Sequence, residues 1–244
     1  MFPARSSRRR GEKVRVKSGR LYAAIGASRS GKSQFVMADA KRADRLLVWD
    51  VKGDPAEYGA MGCHRARNKP QLIALIKRMA GKPGKIAFTS DNMADFDYFC
   101  RCAQAWVRSH YEAGKNCVLV VEETADVTSP GKAPESYGVI LRRKLAEGVT
   151  IYAITQRPAE SDKTAVGNAS VVRVCRLQLA RDRKAAAADT GLPLEEINAL
   201  RADQEKGEFD YITVDTGRGV WSRGRLTFPN GKPKFADEKA VFPL

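Results

Sequence analysis

"AAIGASRSGKSQF", residues 23–35, governs the reading of the whole chain. An apolar run enters it, a glycine-rich turn crosses it, and the residues after Gly31-Lys32-Ser33 take up helical spacing. Within it, "GASRSGKS" (26–33) satisfies G-x-x-x-x-G-K-[ST] in full. Gly26 and Gly31 let the backbone curl so that N–H groups from Gly26, Ala27, Ser28, Arg29, Ser30, Gly31, Lys32, Ser33 and Gln34 face one concavity. The helix that starts there adds the positive end of its dipole. In such a cradle Lys32 is expected to reach the terminal phosphates of ATP and the Ser33 hydroxyl to ligate Mg²⁺. Strand, glycine turn and helix are the context this chemistry needs. By itself the cradle would serve a kinase, a switch or a motor.

Working outward, short apolar runs alternate with helical spacing. "RLYAAI" (20–25), "RLLVWD" (45–50), "KIAFT" (85–89), "CVLVV" (117–121), "VTIYAI" (149–154) and "VVRVCRLQ" (171–178) read as strands. Residues 32–42, the face formed by Leu72, Ile73, Ile76 and Met79, the stretch from Phe96 to His110, a segment ending in "LRRKLAEG" and an Ala-rich run at 182–189 read as helices. Alternation of this kind predicts an α/β fold, a mostly parallel sheet with helices on both faces. The tail ("EFDYITVD", "GVW", "RLTF") predicts C-terminal antiparallel β additions at an edge. The expected divisions are a basic N-terminal segment (1–18), a nucleotide-binding core (19–215) and a C-terminal extension (216–244).

The chain has 244 residues, enough for one sizeable core, and 43 Lys+Arg against 28 Asp+Glu, a formal charge of +15. Eight Lys/Arg and one Glu fall in the first 20 residues. That balance favours a polyanionic partner, nucleic acid first, over a solvated tail or anionic lipid. Five cysteines without a CxxC pair fit reduced thiols, and Cys100, Cys102 and His110 are poorly spaced for a metal. No apolar run approaches the ~20 residues that span a bilayer, and no apolar stretch follows the charged N-terminus, so a soluble protein is expected.

Two more segments bear on the phosphate site. "CVLVVEE" (117–123) is a buried strand ending in paired carboxylates, and the C-terminal end of a parallel strand faces the crevice where a phosphate loop lies. Glu122 is assigned to the metal and Glu123 to an attacking water, although adjacent strand residues point to opposite faces and the roles could be exchanged. "YAITQRP" (152–158) ends in Thr155 and Gln156, where a γ-phosphate sensor would sit. Asp50, at the end of "RLLVWD", either supports the site or caps its turn.

Taken together, "IGASRSGKS", "LLVWDVKGD", "VLVVEE", "ITQRP" with "AESDKTAVGNASVVRVCRL", and "KGEFDYITVD" resemble the FtsK–HerA superfamily of P-loop ATPases over residues 21–215. The chain looks most like the genome-packaging ATPases of tailless phages with an internal membrane. The resemblance implies a RecA-like core, ATP with Mg²⁺, and a homo-oligomeric ring, usually hexameric, that drives double-stranded DNA into a preformed capsid. It also implies capsid or portal-vertex partners and a place in the host cytoplasm or on the virion. By the same carry-over Lys32 and Ser33 hold phosphate and metal, Glu123 activates water and Gln156 senses the γ-phosphate. An arginine is supplied by the neighbouring subunit, for which Arg142 and Arg143 suit better than Arg173 and Arg176. Many such motors have Asp where this chain has Glu122, which weakens that part of the carry-over. "SPGKAPES", "RPAESDK" and "SSRRR" are expected to grip DNA, while Arg218, Trp221, Arg223 and Arg225 suit nucleic acid or a neighbouring subunit. A conjugation, chromosome-transfer or phage-export pump is the nearest alternative. From other classes stand a P-loop kinase, which would need an acceptor pocket, and a nucleotide-dependent assembly factor.

Overall fold

Residues 16–244 are described by a computed structural model. Most of the basic N-terminal segment, including "SSRRR", lies outside the described residues. In chain order the elements are β1 (Leu21–Ile25), α1 (Lys32–Arg42), β2 (Arg45–Trp49), β3 (His64–Ala66), α2 (Lys69–Met79), β4 (Gly84–Phe88), α3 (Met93–Glu112), β5 (Cys117–Val121), α4 (Thr124–Val127) and α5 (Glu135–Arg143). There follow β6 (Val149–Thr155), α6 (Thr164–Gly167), β7 (Val171–Cys175), α7 (Ala180–Thr190), α8 (Leu194–Ala199), β8 (Ala202–Asp203), β9 (Glu208–Asp215), β10 (Val220–Thr227), β11 (Lys234–Asp237) and β12 (Phe242–Pro243).

Ten strands line up in the order β11-β10-β9-β7-β1-β6-β5-β2-β4-β3. From β3 to β7 every pairing is parallel; β9, β10 and β11 continue the same sheet antiparallel. The α/β fold with antiparallel C-terminal additions is therefore as expected. Parallel strands need covered faces, and their sequences are apolar on both sides for that reason. In β1, Leu21, Ala23 and Ile25 enter the larger core with Trp49, Phe96, Phe99 and Trp106, whereas Ala24 joins Val36 and Ala40 of α1 in a smaller one. The two faces are unequally covered: α2, α3, α5, α7 and α8 contribute to the larger core, while α1 and the segment around Tyr58 close the other.

Local signals set the helix starts. Asn68 and Asn92 each cap a helix, their side-chain oxygens accepting from the backbone N–H of Gln71 and Asp95 at 3.0 Å. One polar core residue stands out: His110 of α3 is fully buried, its ring 4.4 Å from Trp106 edge-on, with neither ring nitrogen hydrogen-bonded among the described residues. Burial, helped by the charge of Arg45, pushes its pKa down to about 4.

Two features depart from the sequence reading. "GVW" and "RLTF" form one continuous strand, β10, because the intervening Ser222–Arg225 pairs residue for residue with β9. The short edge strands β3, β11 and β12 lack an apolar run that would announce them; pairing with β4 and β10 defines them.

Candidate functional site

The sheet places β1 between β6 and β7, so the loop leaving β1 emerges amid the C-terminal ends of neighbouring parallel strands. The loop is pinned to both neighbours. Gly26 N–H donates to the Thr155 carbonyl at 3.1 Å, and Ala27 N–H to the Arg176 carbonyl at 2.9 Å. A Cβ on Gly26 would fall 2.5 Å from Ser30 Oγ and 2.7 Å from Cys175 Cβ, so only glycine fits. Gly31 adopts φ +86°, turning the chain into α1. Lys32 follows, 5% exposed, its ammonium 3.4 Å from the Ala27 carbonyl at the mouth of the loop. Burial lowers its pKa, opposed chiefly by the negative charge of Glu123. Ser28 and Arg29 are exposed, while Ser33 and Gln34 are half-buried at the helix start.

The paired carboxylates turn apart at the end of β5. Glu123 adopts left-handed φ +46°, and its Oε1 accepts from the backbone N–H of Gln156 at 2.8 Å. That bond joins the end of β5 to the end of β6 beside Lys32. Burial raises the Glu123 pKa. Glu122, 3% exposed, faces the β2 side, where Tyr58 O–H donates to its Oε1 at 2.7 Å. Burial pushes its pKa up to about 7, against the pull of the Tyr58 hydrogen bond and the Lys52 charge. Oxygens of Asp50, Glu57 and Glu122 lie within 4.8 Å of one another.

Asp50 closes its turn and also lies beside Glu122. Its Oδ1 accepts from Gly53 N–H at 2.9 Å, closing the turn, and it sits in the carboxylate group around Glu122. Its Oδ2 pairs with Arg65 at 2.8 Å, which offsets part of that buried negative charge. Lys52, Glu57, Tyr58 and Arg65 escaped the sequence reading. They lie in "VKGDPAEYGAMGCHRA", which has no helical or strand period, and only the turn after β2 brings them to the site. The loop, Lys52, Asp54 and Glu57, together with Gln204, Phe209 and Phe228, line one open cleft of about 690 Å³.

The loops that follow β5 and β6 are knitted together. Lys163 N–H donates to the Gly131 carbonyl at 2.8 Å, and Asp162 N–H to Thr128 Oγ1 at 3.0 Å. Thr155 Oγ1 lies 2.6 Å from Ser161 Oγ. Arg142 and Arg143 are exposed at the end of α5, without an ion-pair partner among the described residues, and do not line the cleft of their own chain. Arg173 is instead enclosed, its guanidinium 4.0 Å from the Phe35 ring and 4.2 Å from Tyr211. Arg176, half-buried beyond β7, presents its carbonyl to the phosphate loop. Arg223 pairs with Glu196 and Arg225 with Asp210, while Trp221 is buried against Phe242; Arg218 remains exposed. No helix among the described residues is long and apolar enough to cross a membrane.

No protein-family model matches the chain. Protein P9 of Pseudoalteromonas phage PM2 is 34% identical over 207 residues, covering 84% of this chain and 89% of that protein. Among solved structures, the genome packaging NTPase B204 from Sulfolobus turreted icosahedral virus 2, in complex with AMP, aligns with a TM-score of 0.63 at 13% identity, over 84% of this chain and 96% of that one. B204, the DNA-packaging ATPase from Sulfolobus Turreted Icosahedral Virus, aligns with a TM-score of 0.62 at 13% identity and the same coverage. At such identity the likeness is one of fold. The extent and identity of the match to P9 carry the relationship itself. The chain thus belongs to the family of phage PM2 Protein P9, and its fold is that of the B204 genome packaging NTPase.

Proposed function

We propose that the chain hydrolyses ATP and uses the cycle to drive double-stranded DNA into a viral capsid. The observation that carries this is Glu123, held between the buried ammonium of Lys32 and the Gln156 backbone on the next strand. Lys32 and the loop N–H groups bind the phosphates. Glu123, its proton affinity raised by burial, accepts a proton from the attacking water. Gln156, joined to Glu123, registers the γ-phosphate and passes its loss to the loop beyond β6.

Ser33 and Glu122 offer only oxygen atoms, a donor set that suits Mg²⁺, and the nearby Asp50 and Glu57 oxygens add to it. Bound there, the ion would neutralise charge on the phosphates. Arg142 and Arg143, exposed and without an ion-pair partner among the described residues, are offered to the cleft of a neighbouring copy in a hexameric ring. The knitted loops 128–134 and 157–164, with exposed Lys132 and Arg157, contact the DNA backbone rather than base edges, as a motor indifferent to sequence requires. Capsid or portal-vertex proteins dock the ring, from the host cytoplasm.

ATP turnover with and without duplex DNA tests this. Turnover rises with DNA, and the rise fades as salt increases. Glu123→Gln binds ATP but turns over about 10²–10⁴-fold more slowly. An Arg142/Arg143 double alanine variant binds ATP, hydrolyses it poorly and recovers activity when mixed with Glu123→Gln. Intact turnover in Glu123→Gln, or no response to DNA, overturns the proposal.

A further inference from the structure

The cleft above the phosphate loop differs in character along its length. Toward β2 it is lined by Lys52, Asp54 and Glu57, the last of these in the carboxylate group around Glu122. Toward β9 and β10 it is lined by Phe209, Phe228 and Gln204. Those strands lie on the opposite side of β1 from β6 and β5, which carry Gln156 and Glu123. A ligand whose terminal phosphate sits by Glu123 therefore has its other end at the aromatic side.

That side is built for a flat, weakly polar group rather than for phosphate. Phe209 and Phe228 are half-buried, with ring centroids 5.9 Å apart and planes at 87°, an edge-to-face pair. Phe209 packs directly on the turn into α1: a Cβ on Gly31 would lie 3.1 Å from Phe209 Cβ. The neighbouring cations are engaged elsewhere, Lys206 with Asp203 and Arg225 with Asp210 and Glu208. Gln204 is exposed at the same rim and offers both a donor and an acceptor to a ligand edge.

We infer that Phe209 and Phe228, brought by the C-terminal strands, form the platform for the nucleotide base, giving the site a preference for purine nucleoside triphosphates, with Gln204 reading the base edge. The inference rests on the proposal that the phosphate loop binds nucleotide. The two rings also roof a small apolar cluster of Cys175, Tyr211 and Leu226. A purely structural role must therefore be told apart from a binding one.

Calorimetric titration with ATP, UTP and inorganic tripolyphosphate makes the distinction, because tripolyphosphate has no base. The wild-type chain binds ATP more tightly than UTP. Phe228→Leu, which keeps an apolar side chain but removes the ring, weakens ATP binding about tenfold. It narrows the ATP-to-UTP ratio and leaves tripolyphosphate unchanged, and Phe228→Tyr restores ATP affinity. Phe209→Leu acts in the same direction. Equal weakening of ATP and tripolyphosphate, or no change in either, overturns the base platform. If the wild type binds neither ligand, or Lys32→Ala changes neither, the nucleotide reading itself has failed.

Discussion

Tyr58 is the residue on which the chemistry of Glu122 depends. A carboxylate 3% exposed has lost most of its water, and the Tyr58 hydroxyl at 2.7 Å is the compensation. Tyr58→Phe removes that donor and leaves a buried acceptor unpaired, at about 1–3 kcal/mol of stability. Its predicted signature is a lower melting temperature and slower turnover with near-normal ATP affinity, since Tyr58 does not line the cleft. Loss of ATP affinity as large as the loss of turnover would show that Tyr58 acts on the phosphate loop instead. At this scale the candidate site was legible in the sequence where it follows a contiguous pattern. Gly26, Gly31, Lys32, Glu123 and Gln156 could be picked out because a motif or a strand end marks each. Lys52, Tyr58 and Arg65 could not, since their partners are distant in sequence: Tyr58 and Glu122 stand 64 residues apart.

Among elements, the loops after β5 and β6 hold the most consequential contact. Asp162, 2% exposed, accepts at Oδ1 from the N–H groups of Thr164 and Ala165 while its own N–H donates to Thr128. Asp162→Ala frees one buried and one half-buried donor and is expected to lower stability by about 1–3 kcal/mol, or roughly 2–4 °C per kcal/mol in a chain this long. Faster hydrogen exchange is expected across 128–134 as well as around 162. Exchange confined to the mutated loop would show that the two are not joined in solution. Strands and helices were readable from periodicity, and α1 begins and ends where its spacing says. The edges were not: β3, β11 and β12 exist because a neighbour pairs with them, and a single chain pattern carries no trace of that partner.

For the molecule as a whole, acid sensitivity should trace partly to His110. Unfolded, the imidazole gains a proton below about 6.5; folded, it resists until about 4. Between these values the unfolded state binds more protons, so stability falls as pH drops through that window and is fully present above it. His110→Leu should flatten the dependence of melting temperature on pH between the two values, and an unchanged slope would remove His110 from the account. The candidate site at the C-terminal ends of the parallel strands is built from three sources: the β1 loop, the ends of β5 and β6, and the C-terminal strands that supply Phe209 and Phe228.

Hydrogen bonds between Lys163 and Gly131 and between Asp162 and Thr128 join the loops that follow Glu123 and Gln156. On the proposed function, water activation at Glu123 and γ-phosphate sensing at Gln156 would then move together within a single chain. On the same proposal, any staggered firing order in a ring would be timed between copies, by a group such as Arg142 or Arg143 that one copy lends to the next.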